Sequence, residues 1–114
     1  MNTEWDALPD TIRTFMTALD ARDDDRALDL FTADAVVTDE GHDHAGRDAI
    51  SAWLAASVSG SEYTFTSEFT GATATGDTVD VGQHLQGDFP GGVADLHYRF
   101  VLDGALISRL VIEP

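Results

Sequence analysis

A chain of 114 residues that is 43% hydrophobic has enough apolar surface to offset the entropy of ordering one domain, which excludes a disordered segment. Its 21 acidic residues face 6 arginines and no lysine, and the net charge of −15 repels a phosphate backbone, which excludes nucleic acid as a partner. With 0 cysteines there is no disulfide framework, thiolate metal site or cysteine nucleophile, and no apolar run reaches membrane-spanning length.

The acidity reads as a solvated surface. The first residues, Met1 to Asp6, lack the basic and apolar stretches of a secretion signal, so a cytoplasmic placement is expected. Helical patterns come first and strand patterns last. Residues 1–114 therefore read as one α+β domain, with helices covering one face of an antiparallel sheet.

Leu8, Ile12, Phe15, Met16 and Leu19 recur at helical spacing around Pro9, which suits a first turn. Asp23, Asp24 and Asp25 break that pattern and supply an N-cap for a short helix through Ala27, Leu28, Leu30 and Phe31. Ala35 to Thr38 reads as a short strand, and Asp39 to His44 as a polar loop. Gly46-Arg47-Asp48 opens a further helix with Ile50, Trp53, Leu54 and Val58 on its apolar stripe. From Glu62 the period changes to two, and Tyr63, Phe65, Ser67 and Phe69 share one strand face. After a turn at Gly76-Asp77, Val79, Val81 and Leu85 share the face of a second strand. Pro90-Gly91-Gly92 turns the chain into Leu96, Tyr98, Phe100 and Leu102, with His97 and Arg99 on the opposite side. Asp103-Gly104 signals a hairpin into a last strand from Leu106 to Ile112. A hairpin series curved at its glycines leaves a concave side for helices to cover, which predicts a cone-shaped domain around an apolar pocket.

The wording of several segments resembles a known family. Phe31 to Val37, then Asp39-Glu40-Gly41, Gly46-Arg47-Asp48-Ala49-Ile50 and Trp53 are similar to the nuclear transport factor 2-like superfamily, and within it to the SnoaL-like branch. Phe89-Pro90-Gly91 and the stretch from Leu96 to Gly104 resemble the last paired strands of that branch. The resemblance spans nearly the whole chain. It implies the cone fold and a homodimer formed through the outer sheet face. The implied pocket serves isomerases, cyclases, epoxide hydrolases or plain binding modules in different members.

Asp39 is the first candidate for chemistry. It shares strand parity with Val37, so it points to the pocket mouth when Val37 faces the core. In the ketosteroid isomerases of this superfamily an aspartate after the same strand removes a proton beside a carbonyl, and Asp39 matches that position. A carboxylate against apolar walls is a better base than one in water. The alternative is a turn aspartate bonded to nearby backbone amides. His42, or His44 beside it, is the candidate proton shuttle at the pocket mouth. Phe15, Trp53, Tyr63 and Tyr98 are the candidate ligand-binding walls, Tyr98 having a polar tip suited to a ligand oxygen. The resemblance also places a helical tyrosine donor where this chain has Phe15, which cannot donate. His42-Asp43-His44 lacks the spacing and third ligand of a zinc site, so neither a metal nor an organic cofactor is expected.

The functional expectation is thus a SnoaL-like protein that binds a small apolar molecule, with Asp39 catalysing proton transfer of the isomerase or cyclase type. The alternative is a non-catalytic ligand-binding or dimerisation module of the same fold.

Overall fold

The structure, a computed structural model, describes residues 2–59 and 64–114. The short strand β1 (Asn2–Thr3) precedes a 3-10 turn at Trp5–Ala7 and two helices, α1 (Asp10–Asp20) and α2 (Asp24–Leu28). Strands β2 (Phe31–Asp39) and β3 (His42–Ala45) lead into helix α3 (Arg47–Trp53), which widens into a π-helical turn at Leu54–Ser59. Four long strands follow: β4 (Phe65–Thr75), β5 (Thr78–Gly87), β6 (Val93–Asp103) and β7 (Leu106–Glu113). They form one curved sheet in the order β1-β4-β5-β6-β7-β2-β3. This is the predicted α+β cone, with one difference: β2 runs parallel to β7, so the sheet is mixed. The four-strand meander places β7 beside β2, on the side of β2 that β3 leaves open, and the two strands run in the same direction.

Helix α1 forms because Ile12, Phe15 and Met16 fall on one face, and that face is buried against the sheet. Its end is closed by two backbone bonds, Arg22 N–H to Leu19 and Asp23 N–H to Ala18, with Arg22 itself at φ 57. Glycine usually occupies that left-handed position, so an arginine there is a local cost accepted beside the cavity described below. Asp23 caps α2 as expected, accepting from the Arg26 N–H at 3.2 Å.

Two expectations change at β2 and β3. Spacing predicts Phe31 in the second helix, yet α2 stops at Leu28 and Phe31 opens β2, paired with Ile107 of β7. A residue in contact with the last strand cannot be assigned from neighbours alone, and the long-range ladder overrides the local period. The segment read as a polar loop is a hairpin. Glu40 (φ 53) and Gly41 (φ 77) form its two-residue turn, and His42–Ala45 pairs with β2. Its polar residues are those of an edge strand facing water, with the Thr38 hydroxyl donating to Asp43 at 2.6 Å.

The sheet curves at a bulge between Phe69 and Gly71, where β4 faces Gly82 of β5. A side chain at Gly82 would meet the Thr70 hydroxyl at 2.6 Å, so the strands approach there only with glycine. On the concave face Phe15 stacks edge-on against Phe31 (5.4 Å) and Phe100 (5.6 Å), and all three are fully buried. This cluster closes the narrow end of the cone.

Candidate functional site

The wide end of the cone stays open. A cavity of about 460 Å³ lies between the end of α1, Trp53 and the concave face of the sheet. Its walls are mainly apolar, from Met16 and Leu19 on α1 to Leu85, Leu96 and Ile112 on the strands. Phe65 and Phe89 stack edge-on at one rim, and the loop carrying Phe89 is tied down by Asp88, which accepts from the Thr64 N–H at 2.7 Å.

Asp39 lines this cavity, as its parity with Val37 predicts. It ends β2 opposite Ile112 of β7, and Ile112 in turn lies opposite Tyr98 of β6. Asp39 and Tyr98 therefore flank Ile112 on one face, two strand spacings of roughly 4.8 Å apart at the backbone. The Trp53 indole N–H donates to Asp39 Oδ2 at 3.0 Å. Among the described residues that is the one hydrogen bond to this carboxylate, and Oδ1 accepts none. The turn-aspartate alternative would have bonded it to backbone amides, and it is bonded to an indole instead.

Tyr98 also lines the cavity, and no described residue hydrogen-bonds its hydroxyl. Burial pushes its pKa up from 10.0 to about 12, and the nearby negative charges of Asp39 and then Asp20 push in the same direction. The phenol is therefore a neutral hydrogen-bond donor at ordinary pH. The sign for stability follows. The unfolded tyrosine ionises near 10.0 and the folded one near 12, so the folded state holds the proton longer and stability falls as pH rises through that window. Replacing Asp39 with Asn removes one of the negative charges. The Tyr98 phenolate should then form at lower pH, as read by ultraviolet absorbance against Tyr98→Phe; an unmoved titration would show that Asp39 and Tyr98 do not sense each other.

The other sequence-derived residues divide. Trp53 is buried, lines the cavity and orients Asp39. Phe15 lies in the aromatic cluster behind the cavity and not on its wall, because its position on α1 faces Phe31 and Phe100. His42 is the ladder partner of Asp39 across the hairpin, but it is exposed and lies outside the cavity wall. His44 is nearer the site, its ring 6.2 Å from that of Trp53. Tyr63 lies outside the described residues.

The site also contains residues the sequence reading passed over. Asp20, Glu40 and Arg22 bring charge to the cavity wall, Arg22 with its guanidinium 4.8 Å above the Phe65 ring. Ser67 lines the cavity as well. The signal for Ser67 was available: it is the polar member of the Tyr63, Phe65, Phe69 parity.

A curved sheet covered by helices around an apolar cavity, with a carboxylate and a phenol on its wall, defines the nuclear transport factor 2-like cone fold. Residues 12–107 match the SnoaL-like domain, and the chain belongs to that family. A protein from Sinorhizobium meliloti, provisionally assigned as a polyketide cyclase, is 32% identical and superimposes with a TM-score of 0.88, over 97% of this chain and 100% of that one. Two more distant structures share the fold. A ketosteroid isomerase-like protein from Catenulispora acidiphila, in complex with trimethylamine, is 20% identical with a TM-score of 0.80, over 93% of this chain and 85% of that one. A Delta 5-3-ketosteroid isomerase from Mycobacterium sp. is 15% identical with a TM-score of 0.73, over 91% of this chain and 89% of that one. No curated protein matches the sequence. No helix among the described residues is long and apolar enough to cross a membrane.

Proposed function

We propose that this protein binds a small, largely apolar carbonyl compound in the cavity and moves a proton on it, in the manner of an isomerase or cyclase, with Asp39 as general base. The observation that carries this reading is the meeting of the open Asp39 oxygen and the protonated Tyr98 hydroxyl on one apolar cavity. Asp39 Oδ1 takes a proton from the carbon beside the carbonyl. The electron pair left behind moves onto the carbonyl oxygen, where Tyr98 donates its hydrogen bond, and Asp39 returns the proton to a second carbon of the conjugated system. Trp53 holds Oδ2 and so aims Oδ1. His42, exposed across the hairpin from Asp39, serves in this reading to exchange protons with solvent. The relatives described as a polyketide cyclase and a ketosteroid isomerase support chemistry of this class in this fold.

The test uses cyclohex-3-enone as probe, whose conversion to the conjugated enone is followed by ultraviolet absorbance. The protein should accelerate that conversion over buffer, and Asp39→Asn should remove the acceleration. An Asp39→Asn variant as fast as the original would take Asp39 out of the chemistry.

A second reading, ligand binding without turnover, is favoured by Phe15. The helical tyrosine of the steroid isomerases is replaced here by Phe15, which is sealed in the core, and among the described residues Tyr98 is the phenolic donor on the wall. Binding of the enone at an unchanged rate of conversion is the mark of this reading. A pure dimerisation module with a filled cone is disfavoured by the cavity itself.

We infer a homodimer through the outer face of β5, β6 and β7. That face carries cross-strand pairs, His84 with Asp95 at 2.6 Å and His97 with Asp80 at 2.8 Å, and Arg99 bridges Asp80 and Glu113. Arg99, held between two carboxylates, offsets acidic charge on this face of a strongly acidic chain and makes association of two copies less repulsive. Light scattering at low concentration should give twice the chain mass; a monomer mass would remove the dimer.

A further inference from the structure

We propose that the ligand of this cavity is a small organic cation, an apolar carbonyl compound that carries an ammonium group, and that the Asp20 carboxylate receives that group. The inference rests on the cavity being the ligand site.

Among the described residues the cavity wall carries three carboxylates, Asp20, Asp39 and Glu40, against one guanidinium, Arg22. Arg22 is already engaged by the protein, lying 4.8 Å above the Phe65 ring and making a further interaction. Asp20 and Glu40 are exposed, so water solvates their charge until a ligand fills the cavity. A neutral ligand strips part of that water and returns nothing, and an anion adds repulsion. An ammonium replaces the lost solvation with an ion pair.

The rest of the wall says which kind of cation fits. No group of three acids or histidines among the described residues stands close enough to hold a metal ion. Trp53, Phe65, Phe89 and Tyr98 present aromatic rings to the same cavity. Ring faces attract an organic cation and give a small metal ion none of the oxygen ligands it needs.

Asp20 is the carboxylate placed to receive the ammonium. It closes α1, and the Ser67 hydroxyl on β4 donates to its Oδ1 at 3.1 Å, which fixes it on the wall. Its Oδ2 accepts from no described residue. Asp39 stands on β2, with β5, β6 and β7 between it and β4. Tyr98 on β6 lies between the two carboxylates in the sheet order and senses the charge of both. It is deeply buried, it lines the cavity, and its hydroxyl has no partner among the described residues. A ligand with its carbonyl at Tyr98 and its ammonium at Asp20 meets a partner at each polar end. The cation then stays off Asp39, which keeps its strength as a base.

The experiment uses three probes with one ring system: 2-naphthylmethylamine, an ammonium at neutral pH, the neutral 2-naphthylmethanol and the anionic 2-naphthoate. Their affinities for the whole chain are measured by titration calorimetry at an ionic strength of about 0.15 M. The amine is expected to bind about tenfold tighter than the alcohol, with the naphthoate weakest. In Asp20→Asn, whose amide oxygen still accepts from Ser67, the preference for the amine should fall to about threefold or less. Asp103→Asn removes an equal charge from an exposed turn off the cavity wall, where Asn-Gly closes the hairpin equally well, and should leave the preference intact. Should Asp20→Asn fail to fold, the wild-type chain decides at about 1 M salt, where attraction to the chain's overall charge is screened and a pair on the cavity wall is screened less. An amine preference that vanishes there, that Asp103→Asn lowers as much as Asp20→Asn does, or that is absent from the start overturns the cation site and leaves the cavity reading standing. Failure of all three probes to bind overturns the two together.

Discussion

Phe15→Ala is expected to destabilise the fold by about 3–5 kcal/mol. The ring is fully buried, and it is the shared member of two edge-on aromatic pairs, with Phe31 of β2 and Phe100 of β6. Removing it leaves a void that the sheet cannot collapse into, because Phe31 and Phe100 are held by their own ladders, to Ile107 and to Val79 and Leu110. A domain of this size has a total stability of about 5–15 kcal/mol, so the variant sits at or near the edge of folding. Urea unfolding followed by circular dichroism measures the loss, with Val93→Ala as control. Val93 is 56% exposed, and its truncation should change stability by no more than about 0.5 kcal/mol. A Phe15→Ala loss as small as that of the control would mean that the aromatic cluster is not what closes the cone.

Asp39→Asn is the second large effect, and it falls on rate instead of stability. The asparagine has the shape of the aspartate, and its carbonyl oxygen can still accept from the Trp53 N–H, so the hairpin and cavity should stand. What disappears is the proton acceptor. General-base catalysis by a positioned group contributes roughly 10²–10⁴-fold, and the acceleration of enone conversion should fall by that factor while enone affinity changes little. Tyr98→Phe serves as the companion. Losing a donor to a developing oxyanion should also lower the rate by roughly 10²–10³-fold, with Asp39 intact. If both variants bind the enone and neither differs from the original protein in rate, the proton-transfer reading fails and ligand binding remains.

The two effects fall on different parts of the cone, and the sequence placed those parts unequally. Phe15 was expected on the ligand wall because its position on α1 faces the concave side, which is correct, but spacing along a helix does not say how deep into the cone a residue falls. Depth is fixed by where Phe31 and Phe100 stand, and those belong to strands far away in the chain. Asp39 came out on the cavity wall because strand parity is local: once Val37 is inside, the residue two further on is too.

Local chemistry in the sequence determined the amphipathic helix α1, the Asp23 cap, the alternation of β4 to β6, the hairpin at Gly104 and the side of the sheet on which Asp39, Trp53 and Tyr98 stand. Each of these rests on residues within a few positions of one another. Only the tertiary structure decided that β2 runs parallel to β7, that Glu40-Gly41 turns the chain into an edge strand, that the Trp53 indole holds Asp39, and that Asp20, Ser67 and Gln83 join from α1, β4 and β5. These are contacts between segments distant in the chain. The curvature of the open sheet sets their distances, and no periodicity in the sequence encodes it.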